Sequence, residues 1–231
     1  MDFFDSFLKK HNIVLPENVY QACMDGLHYM SNGKDGIHTH LHVKDLLTLL
    51  DEFLADQQNH HLKPKIDFKV MLLSIIWHDT WKSQQITSNP FKLFFNQVAE
   101  GLASMRIFSR NSRKYGLDKI TVKKVKYAIR KHSELQLLPL RGLEAKLLYN
   151  LDTLELFSAP RLRNAVEALT SQRRISPLAT RLVNLYLRYY KYPKSHLTFM
   201  PWAKIRLKQA KPDFFAESKR LIREVLTPGS K

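Results

Sequence analysis

Eight residues, Val70-Met71-Leu72-Leu73-Ser74-Ile75-Ile76-Trp77, form the most apolar run in this chain, and the run ends directly on His78-Asp79. An imidazole and a carboxylate at that point are pushed toward a core. An unpaired charge there costs several kcal/mol, so both groups need a partner. A divalent metal ion is the most economical one.

The rest of the chain favours helices around that run. Across 231 residues with 44% hydrophobic composition there is enough apolar material for one sizeable core. Only seven glycines stand against ten prolines, which leaves little turn material for a many-stranded sheet. The expected fold is all-α, a single-domain helical bundle. Cys23 is the sole cysteine, which excludes an internal disulfide framework and a thiol-based metal site. The start, Met1-Asp2-Phe3-Phe4-Asp5, lacks the layout of a signal peptide and no apolar stretch reaches the length of a membrane span, so a cytoplasmic location is expected.

Charge is unevenly placed. Residues 1–100 hold 9 Lys or Arg against 12 Asp or Glu, a net of −3, whereas residues 101–231 hold 28 against 9, a net of +19. The second half therefore suits an anionic partner: a phosphate ester, a nucleotide, nucleic acid or an acidic membrane surface. The plain alternative is a set of solvated basic helices.

Periodicity and breakers place the elements. The first helix is expected from about Glu17 to Met30, after Pro16 and before Ser31-Asn32-Gly33-Lys34-Asp35-Gly36. The second spans about Thr39 to Asp56, with Leu46, Leu49, Leu50 and Phe53 in one stripe; His42, one turn before Leu46, shares it, while His40 points elsewhere. The third is the apolar helix itself, with Lys82 one turn beyond Asp79. Pro90 opens a fourth segment reaching Ile107, with Leu93, Phe94, Val98 and Leu102 inward, and residues Ser109 to Gly116 read as a basic loop. In the helix from Thr121 to about Ser133, His132 continues the stripe of Val122, Val125 and Ile129. In the helix from Leu143 to Phe157, Asp152 has Leu148, Tyr149 and Leu156 for neighbours. Further helices after Pro160 are expected to break at Pro177, Pro193 and Pro212.

Four inward polar groups on three helices result: His42, His78, Asp79 and Asp152. Two neutral imidazoles and two carboxylates make a site for manganese, iron, magnesium, cobalt or zinc, with positions left for water. Taken singly, each histidine is more often a hydrogen-bonded core residue than a ligand.

The order His42, His78-Asp79, Asp152 resembles the H…HD…D signature of the HD-domain superfamily of metal-dependent phosphohydrolases. The flanks are similar too. Asp35 to Val43 looks like the family's opening segment, in which an early histidine precedes the ligand by four. His78-Asp79-Thr80-Trp81-Lys82 matches the HDxxK form, Ala128 to His132 is similar to a later helix of the family, and Leu143 to Glu155 to its last motif. The resemblance covers about 35–158 and implies an HD core there. Residues 1–34 would then be an N-terminal helix joined to that core, and 159–231 a basic C-terminal helical extension packed on it. Asn150 and Leu151 depart from the usual Asp-Ala-Asp pattern, and Thr153 stands where a basic residue is common. The acidic pair of the alarmone hydrolases and the GYP motif of the cyclic-di-GMP enzymes are absent, and the chain is short for the family's deoxynucleoside triphosphate hydrolases.

The resemblance implies a metal held by His42, His78, Asp79 and Asp152, with Asp79, Lys82 and His132 as catalytic candidates. Lys82 is a phosphate contact or an exposed lysine; His132 is a general acid, a ligand to a second ion, or a core residue. His38 either orients His42 or touches substrate, or lies at the surface. Glu100 either supports the ligands from behind or has a capping or surface role. Arg106 and Arg110, with Arg113 and Lys114, are candidates for gripping substrate phosphates. Tyr186, Tyr189, Tyr190, Tyr192 and Trp202 suit either base stacking or the core. Three functions follow: hydrolysis of a phosphate ester or anhydride in a nucleotide or other small phosphorylated metabolite; a nuclease or phosphodiesterase on single-stranded nucleic acid; or a non-catalytic basic nucleic-acid-binding protein.

Overall fold

A computed structural model of the chain describes residues 2–34, 37–84, 90–132, 140–164 and 200–226. All regular structure among them is helical, as the composition implies. The α-helices are α1 (Asp2–Lys10), α2 (Glu17–Ser31), α3 (His40–Ala55), α4 (Phe68–Trp77), α5 (Pro90–Asn111), α6 (Lys119–Lys131), α7 (Leu143–Leu156) and α8 (Pro201–Leu226). None of these is long and apolar enough to cross a membrane.

The apolar run becomes α4, and every residue from Val70 to Trp77 is buried. Asp67 caps it by accepting from the Val70 amide at 3.4 Å. With no solvent face, α4 is the axis of the bundle, packed by α2, α3, α5, α6 and α7. The approach of α2 depends on Gly26: a Cβ there would lie 2.6 Å from Ile76 Cγ2 and 2.7 Å from the Trp77 indole nitrogen. That indole donates instead to the Ala22 carbonyl, at 3.1 Å.

Capping sets the other helices. Thr39 accepts from the Leu41 amide and starts α3, so that His42 falls in its first turn with the buried stripe of Val43, Leu46, Leu47 and Leu50. Asp118 accepts from the Ile120 and Thr121 amides and starts α6. The side chains of α7 from Leu147 to Leu151 are all buried, and α7 packs on α3, α4, α6 and α8. The three ligand-bearing segments are thus mutual neighbours.

Several expectations need correction. Helix α1 precedes the first one expected; at nine residues it is too short to persist alone and is held by burial of Phe4, Phe7 and Leu8. The stretch read as a basic loop is the end of α5 followed by a 3₁₀ turn, Ser112–Tyr115, closed by Gly116 at φ 57°. Leu102 is not inward but 40% exposed, because α5 meets α6 through Gly101, whose Cβ would lie 2.7 Å from the Arg130 carbonyl. The side chains of Leu93, Phe94 and Val98, and residues Pro177, Pro193, Tyr186, Tyr189, Tyr190 and Tyr192, lie outside what is described. Pro212 does not break α8: it lies on the exposed face together with Lys208, the residue whose carbonyl loses its helical donor, so water can replace the missing bond. Trp202 is core, edge-on to Phe53 with centroids 5.3 Å apart.

Candidate metal centre

His78 and Asp79 follow the last turn of α4 while the chain is still helical, and Thr80 and Ser83 tie the turn down through hydroxyl bonds to the Trp77 and Thr80 carbonyls. The Trp81 amide donates to Ser104 of α5. His78 donates Nδ1–H to the Ile75 carbonyl at 2.7 Å, so its Nε2 carries a lone pair. That lone pair points at His42 Nε2, 3.1 Å away.

His42 is oriented differently. Its Nδ1 faces the Glu155 carboxylate at 3.4 Å, which favours a proton on Nδ1 and so an Nε2 lone pair facing inward. At 3.1 Å the two Nε2 atoms share a proton in one tautomer, and with both protons on Nδ1 their two lone pairs converge where a cation would sit. Asp79 Oδ2 lies 3.6 Å from His42 Nε2 and 3.5 Å from His78 Nε2, and Asp152 Oδ1 lies 3.6 and 3.7 Å from the same atoms. One donor atom from each of the four residues falls within 4.8 Å of all the others. Donors about 2.1 Å from an ion and about 90–110° apart are separated by roughly 3.0–3.4 Å, so the imidazole pair already has the spacing of two ligands on one divalent cation, and the carboxylate edges of 3.5–3.7 Å are a few tenths of an ångström wider and would close on a bound ion.

The electrostatics agree. Burial lowers the His42 pKa, keeping the ring neutral as a ligand must be. Burial would raise the Asp79 carboxyl, but Lys82, His78, His38 and His132 together hold it well below the usual carboxylate range. Asp152 is likewise desolvated, but the His78 and His42 rings beside it lower its pKa when they carry a proton, a pull that a bound cation would take over once both rings are neutral. The donor set therefore carries two negative charges into a buried site, which a dication neutralises.

The residues around the four donors settle several alternatives. His38 is not at the surface: its side chain is 17% exposed, with Nε2 3.6 Å from Asp79 Oδ2. Lys82 is not an exposed lysine, since its side chain is 12% exposed and its ammonium lies 2.5 Å from Glu100 Oε2 and 3.8 Å from Asp79 Oδ1. Glu100 is buried, which removes the capping and surface roles, and burial raises its pKa against the pull of Lys82. His132 is buried, donates Nδ1–H to the Ile129 carbonyl and reaches Asp79 Oδ1 with Nε2 at 3.3 Å. Burial opposes its charge, but the bond to Asp79 and the nearby carboxylates push its pKa up to about 9. Arg106 and Arg110 are exposed. They lie on the side of α5 away from Ser104 and Phe108, and no described bond joins them to the cluster.

Two residues of the site were not read from the sequence. Glu155, one turn after Asp152, is 3% exposed and is held below its ordinary pKa, against burial, by His42 and Arg161. Arg161 places Nε 3.4 Å from Glu155 Oε2 and donates from Nη1 to the Ile37 carbonyl at 2.7 Å, tying the segment before α3 to the end of α7. The available signal was a second carboxylate on the buried face of α7. Asn150, a departure from the family pattern, has a structural task here: its amide donates to Lys146 and its oxygen accepts the Met200 amide at the head of α8.

No family model, no curated protein and no solved structure matches this chain.

Proposed function

We propose that this protein is a metal-dependent phosphohydrolase of the HD type, cleaving a phosphate ester or anhydride bond in a nucleotide or another small phosphorylated metabolite. The observation that carries the reading is the pair of facing Nε2 atoms of His42 and His78, 3.1 Å apart and flanked by the ionised Asp79 and Asp152. A divalent ion held there supplies an activated water and polarises a phosphoryl oxygen. The choice among manganese, magnesium, iron, cobalt and zinc is open to this donor set.

The remaining roles follow from exposure. Within the cluster His38, Lys82 and Asp152 keep 17%, 12% and 17% of their side-chain surface, so they line its open side. Substrate arrives there, with the Lys82 ammonium and the His38 ring facing the phosphate. His132 is fully enclosed and serves Asp79: its proton on Nε2 holds Oδ1, which turns Oδ2 toward the metal position. Arg106 and Arg110 would meet only the distal part of a larger substrate. The surplus of +19 in residues 101–231 favours the approach of an anionic substrate to the protein.

Metal analysis of the purified protein, paired with phosphate release from a nucleotide panel with added Mn²⁺, Mg²⁺ or Co²⁺, tests the reading. Bound metal and metal-dependent release are expected. Release that persists in Asp79→Ala with an empty site would overturn it. The second reading, action on single-stranded nucleic acid, draws on the exposed Lys123, Lys124 and Arg130 of α6. Steeply salt-dependent oligonucleotide binding without small-substrate turnover would favour it.

A further inference from the structure

Asp79 turns its two oxygens to different neighbours. Oδ2 faces His38, His42 and His78 at 3.6, 3.6 and 3.5 Å, on the side of the metal position. Oδ1 faces away, toward His132 Nε2 at 3.3 Å and the Lys82 ammonium at 3.8 Å. Behind them Glu100 lies 2.5 Å from Lys82 and 3.9 Å from His132 Nε2.

The Oδ1 side is thus lined by two carboxylates and an imidazole. His132 gives its Nδ1 proton to the Ile129 carbonyl, so Nε2 is the atom presented inward. Asp79, Glu100 and His132 are the donor types that hold a hard or borderline dication, and Asp79 would bridge such an ion to the one at His42 and His78. All three side chains are at most 2% exposed, and Lys82, at 12%, closes the position on the side of the substrate mouth. The ammonium of Lys82, anchored on Glu100, is the fixed cation of this position, beside the Nε2 proton that His132 would give up to an incoming ion.

We propose that Lys82 is a built-in substitute for a second metal ion. Its ammonium neutralises Glu100 and the outer oxygen of Asp79 and repels a second dication. The centre therefore takes one ion, at His42, His78, Asp79 and Asp152. A neutral residue at position 82 leaves Asp79, Glu100 and His132 without that cation and opens a second metal position. This rests on the metal-centre reading above.

The experiment counts ions and needs no activity. Chelator-stripped wild-type protein, Lys82→Met and Lys82→Arg are titrated with Mn²⁺. Stoichiometry is taken from elemental analysis after desalting, and spin coupling between neighbouring ions from electron paramagnetic resonance. One uncoupled Mn²⁺ per chain is expected for wild type and Lys82→Arg, and two coupled Mn²⁺ for Lys82→Met. Lys82→Gln takes the place of Lys82→Met where the latter does not fold by circular dichroism. Two ions in wild type, or a single ion in the folded neutral variant, overturns the proposal. A single ion in every variant that His42→Ala abolishes leaves the metal centre standing and removes only the role of Lys82. No ion in any of them removes the metal-centre reading itself, and the proposal with it.

Discussion

His42 and His78 present the same atom to the same point, yet they are held there by unlike means. His78 is fixed by its own helix, through the Ile75 carbonyl three residues back, and His132 repeats the device with Ile129. His42 depends on residues far away in sequence: Glu155 on α7 faces its Nδ1, Arg161 holds Glu155, and Arg161 also bonds Ile37 just ahead of α3. A backbone carbonyl cannot be mutated away, whereas a carboxylate and its cation can. The two ligands should therefore differ sharply in how easily substitutions elsewhere disturb them.

The largest effect falls on the residue common to both halves. Asp79→Ala removes the oxygen shared by His42 and His78 together with the partner of His132. Metal binding by calorimetry is expected to fall below detection, with no phosphate release. Micromolar metal affinity in the folded variant would contradict the donor set.

The next effect separates the imidazoles by charge. In the metal-free protein His132 is raised to about 9 from an ordinary 6.5, so its contribution is fully present below about pH 6.5 and is lost as pH rises through 9. A shift of that size corresponds to an upper figure on the order of 3 kcal/mol. His42 is lowered, so below pH 6.5 its unfolded form takes up a proton that the folded form refuses, and stability falls there too. Urea denaturation of stripped protein should show both limbs, and His132→Gln should flatten only the alkaline one. An unchanged alkaline limb in that variant would break the distinction.

Glu155→Ala then tests the distant support directly. Loss of a group that orients a ligating imidazole costs about 10- to 100-fold in metal affinity. Glu155→Gln, which keeps an acceptor for Nδ1–H, should recover part of it, a pattern that general destabilisation would not produce. Arg161→Met leaves Glu155 buried with His42 as its remaining partner among the described residues, and a loss of roughly 10-fold is expected, a little below that of Glu155→Ala. Equal metal affinity in wild type and Glu155→Ala would mean that α3 alone fixes His42.

The same division explains what the sequence could disclose. Features set by near neighbours were legible: the apolar α4 ending on His78-Asp79, the Thr39 start that brings His42 into the stripe of α3, and the buried face of α7 that carries Asp152. Features set by distant packing were not. Helix α1 exists because Phe4 and Phe7 find a core made by later helices. Leu102 looked inward by period, but Gly101 lets α6 approach so closely that Glu100 and Ser104 take the interior instead. Pro212 is a breaker by rule, but its exposed position lets α8 continue through it. Glu155 was not legible, since a glutamate near a helix end is usually solvated and its pairing with Arg161 arises from how the chain returns after α7.

The smallest effect is the most discriminating for His78. Ile75 is fully buried, and its carbonyl holds the ring that faces His42. Ile75→Val removes one methyl group beside that carbonyl, at a cost of about 0.5–1.5 kcal/mol in stability. It leaves the carbonyl and its bond to Nδ1 in place. Metal affinity should therefore stay within about twofold of wild type while the denaturation midpoint drops, the reverse of the balance expected for Glu155→Gln. An affinity loss as large as that of Glu155→Ala would show that His78 is placed by side-chain packing around α4 rather than by its own helix, and the contrast between the two ligands would then disappear.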